Sequence, residues 1–128
     1  MRVRWSFAGS EGVKRQRAEQ RGRQAEAQAA EWLFTQGYEV LDTRVKTKVG
    51  EIDLVARGHG VVAFIEVKWR AKPADLDLAI DEYRLRRVAA AAESVAHSYA
   101  GTGEDLRIDV ILLAPRTPPR HIVNAWQP

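Results

Sequence analysis

Apolar positions along this chain of 128 residues change their spacing several times, and each change marks an element. From about Lys14 to Gln36, Ala18, Gly22, Ala25, Ala29, Trp32 and Leu33 recur at helical spacing and form one stripe. Its residues are mostly small, so the predicted helix can lie close against a sheet. Gly37 is placed to end it. "YEVLDTRVKT" then reads as a strand, followed by the strands "GEIDLVAR" and "VVAFIEVKW" around a tight "GHG" turn. A second helix is predicted roughly from Leu76 to Tyr99, carrying Leu78, Ile80, Leu85, Val88, an alanine run and Val95. "LRIDVILLA", from Leu106, is apolar enough for a central strand. "PRTPPR" is a loop, and "HIVNAW" a short final strand or turn. The predicted order is α-β-β-β-α-β-β, an α/β fold with a sheet flanked by helices.

The first dozen residues, "MRVRWSFAGSEG", show no such period. They are expected to form a disordered arm over residues 1–13, ahead of a single domain over 14–128. Without cysteine, the chain has neither disulfides nor thiolate metal sites. His59, His97 and His121 are too scattered for a zinc site. No apolar core follows Arg2 and Arg4 as in a signal peptide, and runs such as "VILLA" are too short to span a bilayer. A cytoplasmic protein without a membrane partner is expected. Charge is uneven: residues 1–23 hold seven basic and two acidic side chains, and the remainder is slightly acidic. A basic arm suits nucleic acid, and it equally suits a solvated tail.

Charges inside the paired strands carry the chemistry. Side chains alternate across a strand, so Glu51, Asp53 and Val55 share one face and Ile52, Leu54 and Ala56 the other. On the next strand Phe64, Glu66 and Lys68 share a face, opposite Ala63, Ile65 and Val67. With His59 and Gly60 as turn residues, Asp53 lies opposite Glu66 and Glu51 opposite Lys68. With Gly58 and His59 in the turn, Glu51 instead meets Glu66. Both registers cluster carboxylates, and the first offsets Glu51 with Lys68.

Facing carboxylates repel unless something neutralises them, and a hard divalent cation does so. Lys68, one pleat from Glu66, is suited to stabilising charge that develops on a phosphodiester. The bland alternative is a solvated strand face whose acids pair with Lys68 and Arg70. Glu26 falls at the edge of the first helix's stripe. It can reach the same metal or an attacking water, or snorkel to solvent.

With these residues placed, the chain resembles the PD-(D/E)XK nuclease superfamily and its restriction-endonuclease-like fold. "GRQAEAQAAEWLFTQGYEVL", "GEIDLVAR", "FIEVKWR", "AAAAE" and "RIDVILLA", in this order, resemble the YraN-like family of uncharacterised bacterial proteins. That family is distantly similar to archaeal Holliday junction resolvases. The resemblance covers roughly Arg21 to Trp126. It implies Asp53 and Glu66 as metal-binding acids, Lys68 as catalytic lysine, Glu26 as the helix glutamate and the Val67 carbonyl completing the site. Glu51 belongs to this family's own "GEID" and has no fixed superfamily role. Arg44 stands where the family usually has asparagine, and Arg84, an accessory candidate, where it usually has lysine.

The implied activity is hydrolysis of DNA phosphodiester bonds by a Mg²⁺- or Mn²⁺-dependent endonuclease acting on branched or repair intermediates. The alternative is a nucleic-acid-binding or accessory protein that keeps the fold and cleaves little. Arg44, Lys46, Lys48, Arg70, Lys72 and Arg87 are the candidate phosphate contacts, and alternation puts Arg44, Lys46 and Lys48 on one strand face. Cutting a junction symmetrically would require a homodimer. Trp69 is expected in the core and His59 in the turn. Asp109, an acid inside a buried strand, is expected to pair with Arg107 or a helix end.

Overall fold

The computed structural model describes residues 3–101 and 103–127. Its elements are α1 (Val3–Thr35), β1 (Glu39–Lys46), β2 (Glu51–Gly58), β3 (Val61–Trp69), α2 (Glu82–Tyr99), β4 (Asp105–Leu113) and β5 (Arg120–Ile122). The five strands form one sheet in chain order. β3 and β4 are parallel and the other neighbours antiparallel, so α2 is the crossover of a β-α-β unit. This is the predicted α/β order, a mixed sheet flanked by helices.

α1 begins well before the predicted start. Its backbone is helical from Val3, where a disordered arm was expected; residues 1 and 2 of that arm lie outside the described residues. The predicted apolar stripe is used only in part. Ala25, Ala29 and Leu33 are buried, whereas Ala18 and Gly22 are exposed, because the sheet underlies only the last turns of the helix. Gly37, at φ 90°, ends the helix as anticipated. The Tyr38 N–H reaches the Leu33 carbonyl, which the Gln36 N–H also meets, and the Gly37 N–H reaches the Phe34 carbonyl, so carbonyls of the last turn are satisfied.

The second helix is shorter than predicted. Residues 73–79 form two single 3₁₀ turns, and Ile80 is extended. Asp81 then caps α2, its carboxylate accepting from the N–H groups of Tyr83 and Arg84. Leu76 and Ala79 pack into the core, but Leu78 is exposed. Apolar content suggested helix here, and the cap overrode it.

Each sheet face is covered. α1 lies over Leu54, Ala56, Ala63, Ile65, Ile111 and Leu113. α2 lies over Ile52, Val55, Val62 and Phe64. Burial of each such large side chain contributes about 1.5–3 kcal/mol. The sequence reading put all the charge of β2 and β3 on one open face. That face is instead covered by α2 through its middle, and charge remains at its two ends: Arg57, paired with Glu104, at one, and Asp53, Glu66 and Lys68 at the other.

Strict alternation also fails in β2. Ile52 packs on the α2 side and Leu54 on the α1 side, although the two were expected on one face. The change coincides with Arg44, at φ 51° in the left-handed region, which lies between the pairs Thr43–Leu54 and Val45–Ile52. One left-handed residue turns the strand locally and resets which side its neighbours face.

Candidate active site

The β2–β3 hairpin decides how the acids meet. His59 (φ 55°) and Gly60 (φ 77°) form its turn, and Gly58 pairs with Val61. Pairing continues to Leu54–Ile65 and stops there. One step further, where Asp53 and Glu66 stand, a side chain replaces the ladder: the Val67 N–H donates to Asp53 Oδ2 at 2.8 Å. The register is the one that places Asp53 against Glu66. The expected pairing of Glu51 with Lys68 does not form, because the strands have already parted; Glu51 instead pairs in register with Lys46 of β1.

Glu66 is buried, at 2 % exposure. Its Oε1 lies 3.4 Å from the Lys68 ammonium and accepts from Arg84 Nε at 3.0 Å. Burial pushes the Asp53 carboxyl up to about 6. The Val67 N–H opposes that rise, while the negative charges of Glu26 and Glu66 reinforce it. Glu26 therefore lies within electrostatic reach of Asp53, yet its own Oε1 is held at 2.8 Å by Arg44 Nε. Among the described residues no three acidic or histidine side chains converge to hold a metal ion, so Glu26 does not complete a three-ligand set. Asp53 Oδ1 and Glu66 Oε2 have no hydrogen-bond partner among the described residues. Both are hard oxygen donors of the kind that Mg²⁺ and Mn²⁺ take, so the donor chemistry of Asp53 and Glu66 fits such an ion.

Beside this corner a cleft of about 380 Å³ opens between the β1–β2 turn and α2. Lys46, Lys48, Glu51, Arg84 and Arg87 line it. Of the candidate phosphate contacts, the structure gathers Lys46, Lys48 and Arg87 here, and adds Arg84. It does not bring Arg44, Arg70 or Lys72 to them. Arg44 was expected on one face with Lys46 and Lys48, but the turn at its own backbone separates it, and it borders a second groove with Arg23 and Glu26. Arg70 donates to the Trp69 carbonyl, and Lys72 is exposed ahead of the first 3₁₀ turn. Gly50 is needed at the cleft floor: a Cβ there would come within 2.7 Å of the Arg87 carbonyl. Trp69 packs at the edge of the α1 core, as anticipated, with the Arg21 guanidinium 5.0 Å from its ring centre.

A second charged cluster lies apart from these acids. Asp109 is fully buried and accepts two bonds from Arg107, both at 2.8 Å. It also accepts from the Asn124 N–H at 2.9 Å and meets His121 Nε2 at 2.8 Å. Arg107 in turn reaches the Tyr38 hydroxyl. The expected Arg107 pairing is present. The role of His121 had no local signal in the sequence, since it comes from β5 pairing back onto β4. The arginine partners of Glu26 and Glu66 were equally unreadable, being 18 residues away in each case.

This sheet and its flanking helices are similar in fold to Hjc, a Holliday junction resolvase of Archaeoglobus fulgidus, an archaeal hyperthermophile. The TM-score is 0.55, with 19% identity over 80% of this chain and 72% of that one. The chain itself belongs to UPF0102, an uncharacterised protein family whose model matches residues 25–113. It is 65% identical to a UPF0102 protein of Erythrobacter litoralis over 91% of this chain and all of that protein. A UPF0102 protein of Sphingopyxis alaskensis is 60% identical over the same shares. The resemblance read from "GEIDLVAR" and "FIEVKWR" is borne out at the level of family and fold. Among the described residues no helix is long and apolar enough to cross a membrane.

Proposed function

We propose that this chain is a divalent-cation-dependent DNA endonuclease. One observation carries the reading: Asp53 and Glu66 stand at the point where β2 and β3 part, each with an oxygen that has no partner among the described residues, with Lys68 held 3.4 Å from Glu66 beside a basic cleft. Asp53, Glu66 and the carbonyl of Val67 would hold Mg²⁺ or Mn²⁺. When bound, such an ion supplies Lewis-acid charge at a scissile phosphate. Lys68 offers its ammonium to the negative charge that grows on the phosphoryl oxygens. Glu26, steadied by Arg44, positions the attacking water. Lys46, Lys48, Arg84 and Arg87 neutralise the phosphates of the strand lying in the cleft. Symmetric cutting of a four-way junction requires two such sites, and therefore two copies of the chain.

One observation favours a second reading. Glu66 already has two cationic partners, as in a structural ion-pair network, which suits a nucleic-acid-binding protein with little catalysis. Linear, single-stranded, flapped and four-way DNA incubated with Mg²⁺ or Mn²⁺ separate the two. The nuclease reading expects cleavage of at least one form that Lys68→Ala and Asp53→Ala abolish. Salt-sensitive binding without cleavage of any form leaves the binding protein.

A further inference from the structure

We infer that Arg84 is a positioning residue that couples phosphate in the cleft to cation binding at Asp53 and Glu66; this rests on the proposed metal site. Glu66 Oε1 faces two cations, Lys68 Nζ at 3.4 Å and Arg84 Nε at 3.0 Å. One carboxylate with two positive partners is a poor host for a third positive charge. Lys68 is mostly covered, its side chain 20% exposed, and it belongs to the same strand as Glu66. Arg84 is different. It projects from the first turn of α2, is half exposed, and also lines the cleft. Only its Nε is engaged: the two terminal nitrogens have no protein partner among the described residues.

Arg84 therefore has two acceptors within its reach, the Glu66 carboxylate and any phosphate seated among Lys46, Lys48 and Arg87. Guanidinium binds phosphate in two-pronged fashion, which a single bond to Glu66 cannot match. Phosphate draws Arg84 away from Glu66. The carboxylate then faces one cation, Lys68, instead of two, and the metal ion binds more tightly. By linkage, the cation then tightens DNA by the same factor. In this arrangement the site binds metal weakly until substrate lies beside it.

The test measures Mn²⁺ affinity by calorimetry, with and without a short phosphorothioate duplex that resists cleavage. In the wild-type protein the duplex raises Mn²⁺ affinity about tenfold. Arg84→Gln raises Mn²⁺ affinity in the absence of DNA, by about the same factor, and abolishes the further gain on adding DNA. Arg84→Lys keeps the charge without the two-pronged grip, so it stays weak for Mn²⁺ alone and loses most of the DNA-dependent gain. Mn²⁺ uptake that Asp53→Ala abolishes but that Arg84→Gln leaves unchanged, with or without DNA, overturns the coupling alone. No uptake by any of these proteins overturns the metal site and the coupling together.

Discussion

The main-chain N–H of Val67 donates to Asp53 Oδ2 at 2.8 Å, one step beyond the last backbone pair of the hairpin. This bond draws an acid inward that would otherwise turn to water. It also leaves the second Asp53 oxygen without a donor among the described residues.

Burial raises the Asp53 carboxyl from 3.8 to about 6. The folded protein thus binds a proton more readily than the unfolded chain between those values, and stability falls as pH rises through that window. Asp53→Asn keeps an acceptor for Val67 and removes the charge. Without divalent cations, urea melts at pH 7.5 should show the variant more stable by on the order of 1–2 kcal/mol. The difference should vanish by the low end of the window. A variant less stable than wild type at both pH values would contradict the burial of that charge.

Asp109 behaves in the opposite sense. Burial alone would raise its pKa, but bonds from His121, Arg107 and Asn124 outweigh burial and hold it below the usual carboxylate range. Its contribution is present above the unfolded pKa and is lost as pH falls through the lower folded value. Asp109→Ala strands Arg107 and should cost about 3–5 kcal/mol. Denaturant unfolding measures this, and a loss below about 1 kcal/mol would mean that the cluster contributes little.

Gly50 opens the "GEID" stretch and sits under the Arg87 carbonyl. Gly50→Ala forces the β1–β2 turn away from α2, at a cost of about 1–3 kcal/mol. Because Lys46 and Lys48 ride on that turn, DNA affinity should fall together with thermal stability. Full DNA affinity in the folded variant would separate the turn from the binding cleft.

Removing the three non-catalytic cations of the cleft should flatten the salt dependence of DNA binding. In Lys46→Ala/Lys48→Ala/Arg87→Ala, the slope of log affinity against log salt should shrink by about 2–3, at roughly 0.9 per lost phosphate contact. Lys72→Ala, outside the cleft, serves as the comparison and should shift the slope by less than about 0.5. Fluorescence anisotropy across a salt series reads both, and equal shifts would place the binding surface elsewhere.

Much of this molecule was legible in local pattern. The α-β-β-β-α-β-β order follows from the change between helical and alternating spacing, and the hairpin, though not the choice between its two registers, from the "GHG" turn. Those features depend on neighbours within a few residues, which is what local sequence can express. Where apolar content was followed over a nearer signal, the reading failed: Asp81, a local cap, started α2 six residues later than that content suggested. It failed elsewhere for want of a distant group. Ala18 and Gly22 had no sheet beneath them, so their stripe stayed exposed.

By itself, the sequence determined the fold class and the clustering of carboxylates on the β2–β3 hairpin; the structure chose, of the two registers the turn allowed, the one that sets Asp53 against Glu66. Only the tertiary structure decided which groups reach the acids from other elements: Arg44 for Glu26, Arg84 for Glu66, and the His121 ring for Asp109. The reason is physical. Strand and helix periods specify direction within an element, whereas a buried carboxylate takes its partner from whichever element the folded chain packs against it, and that choice is made by shape and desolvation across the whole domain.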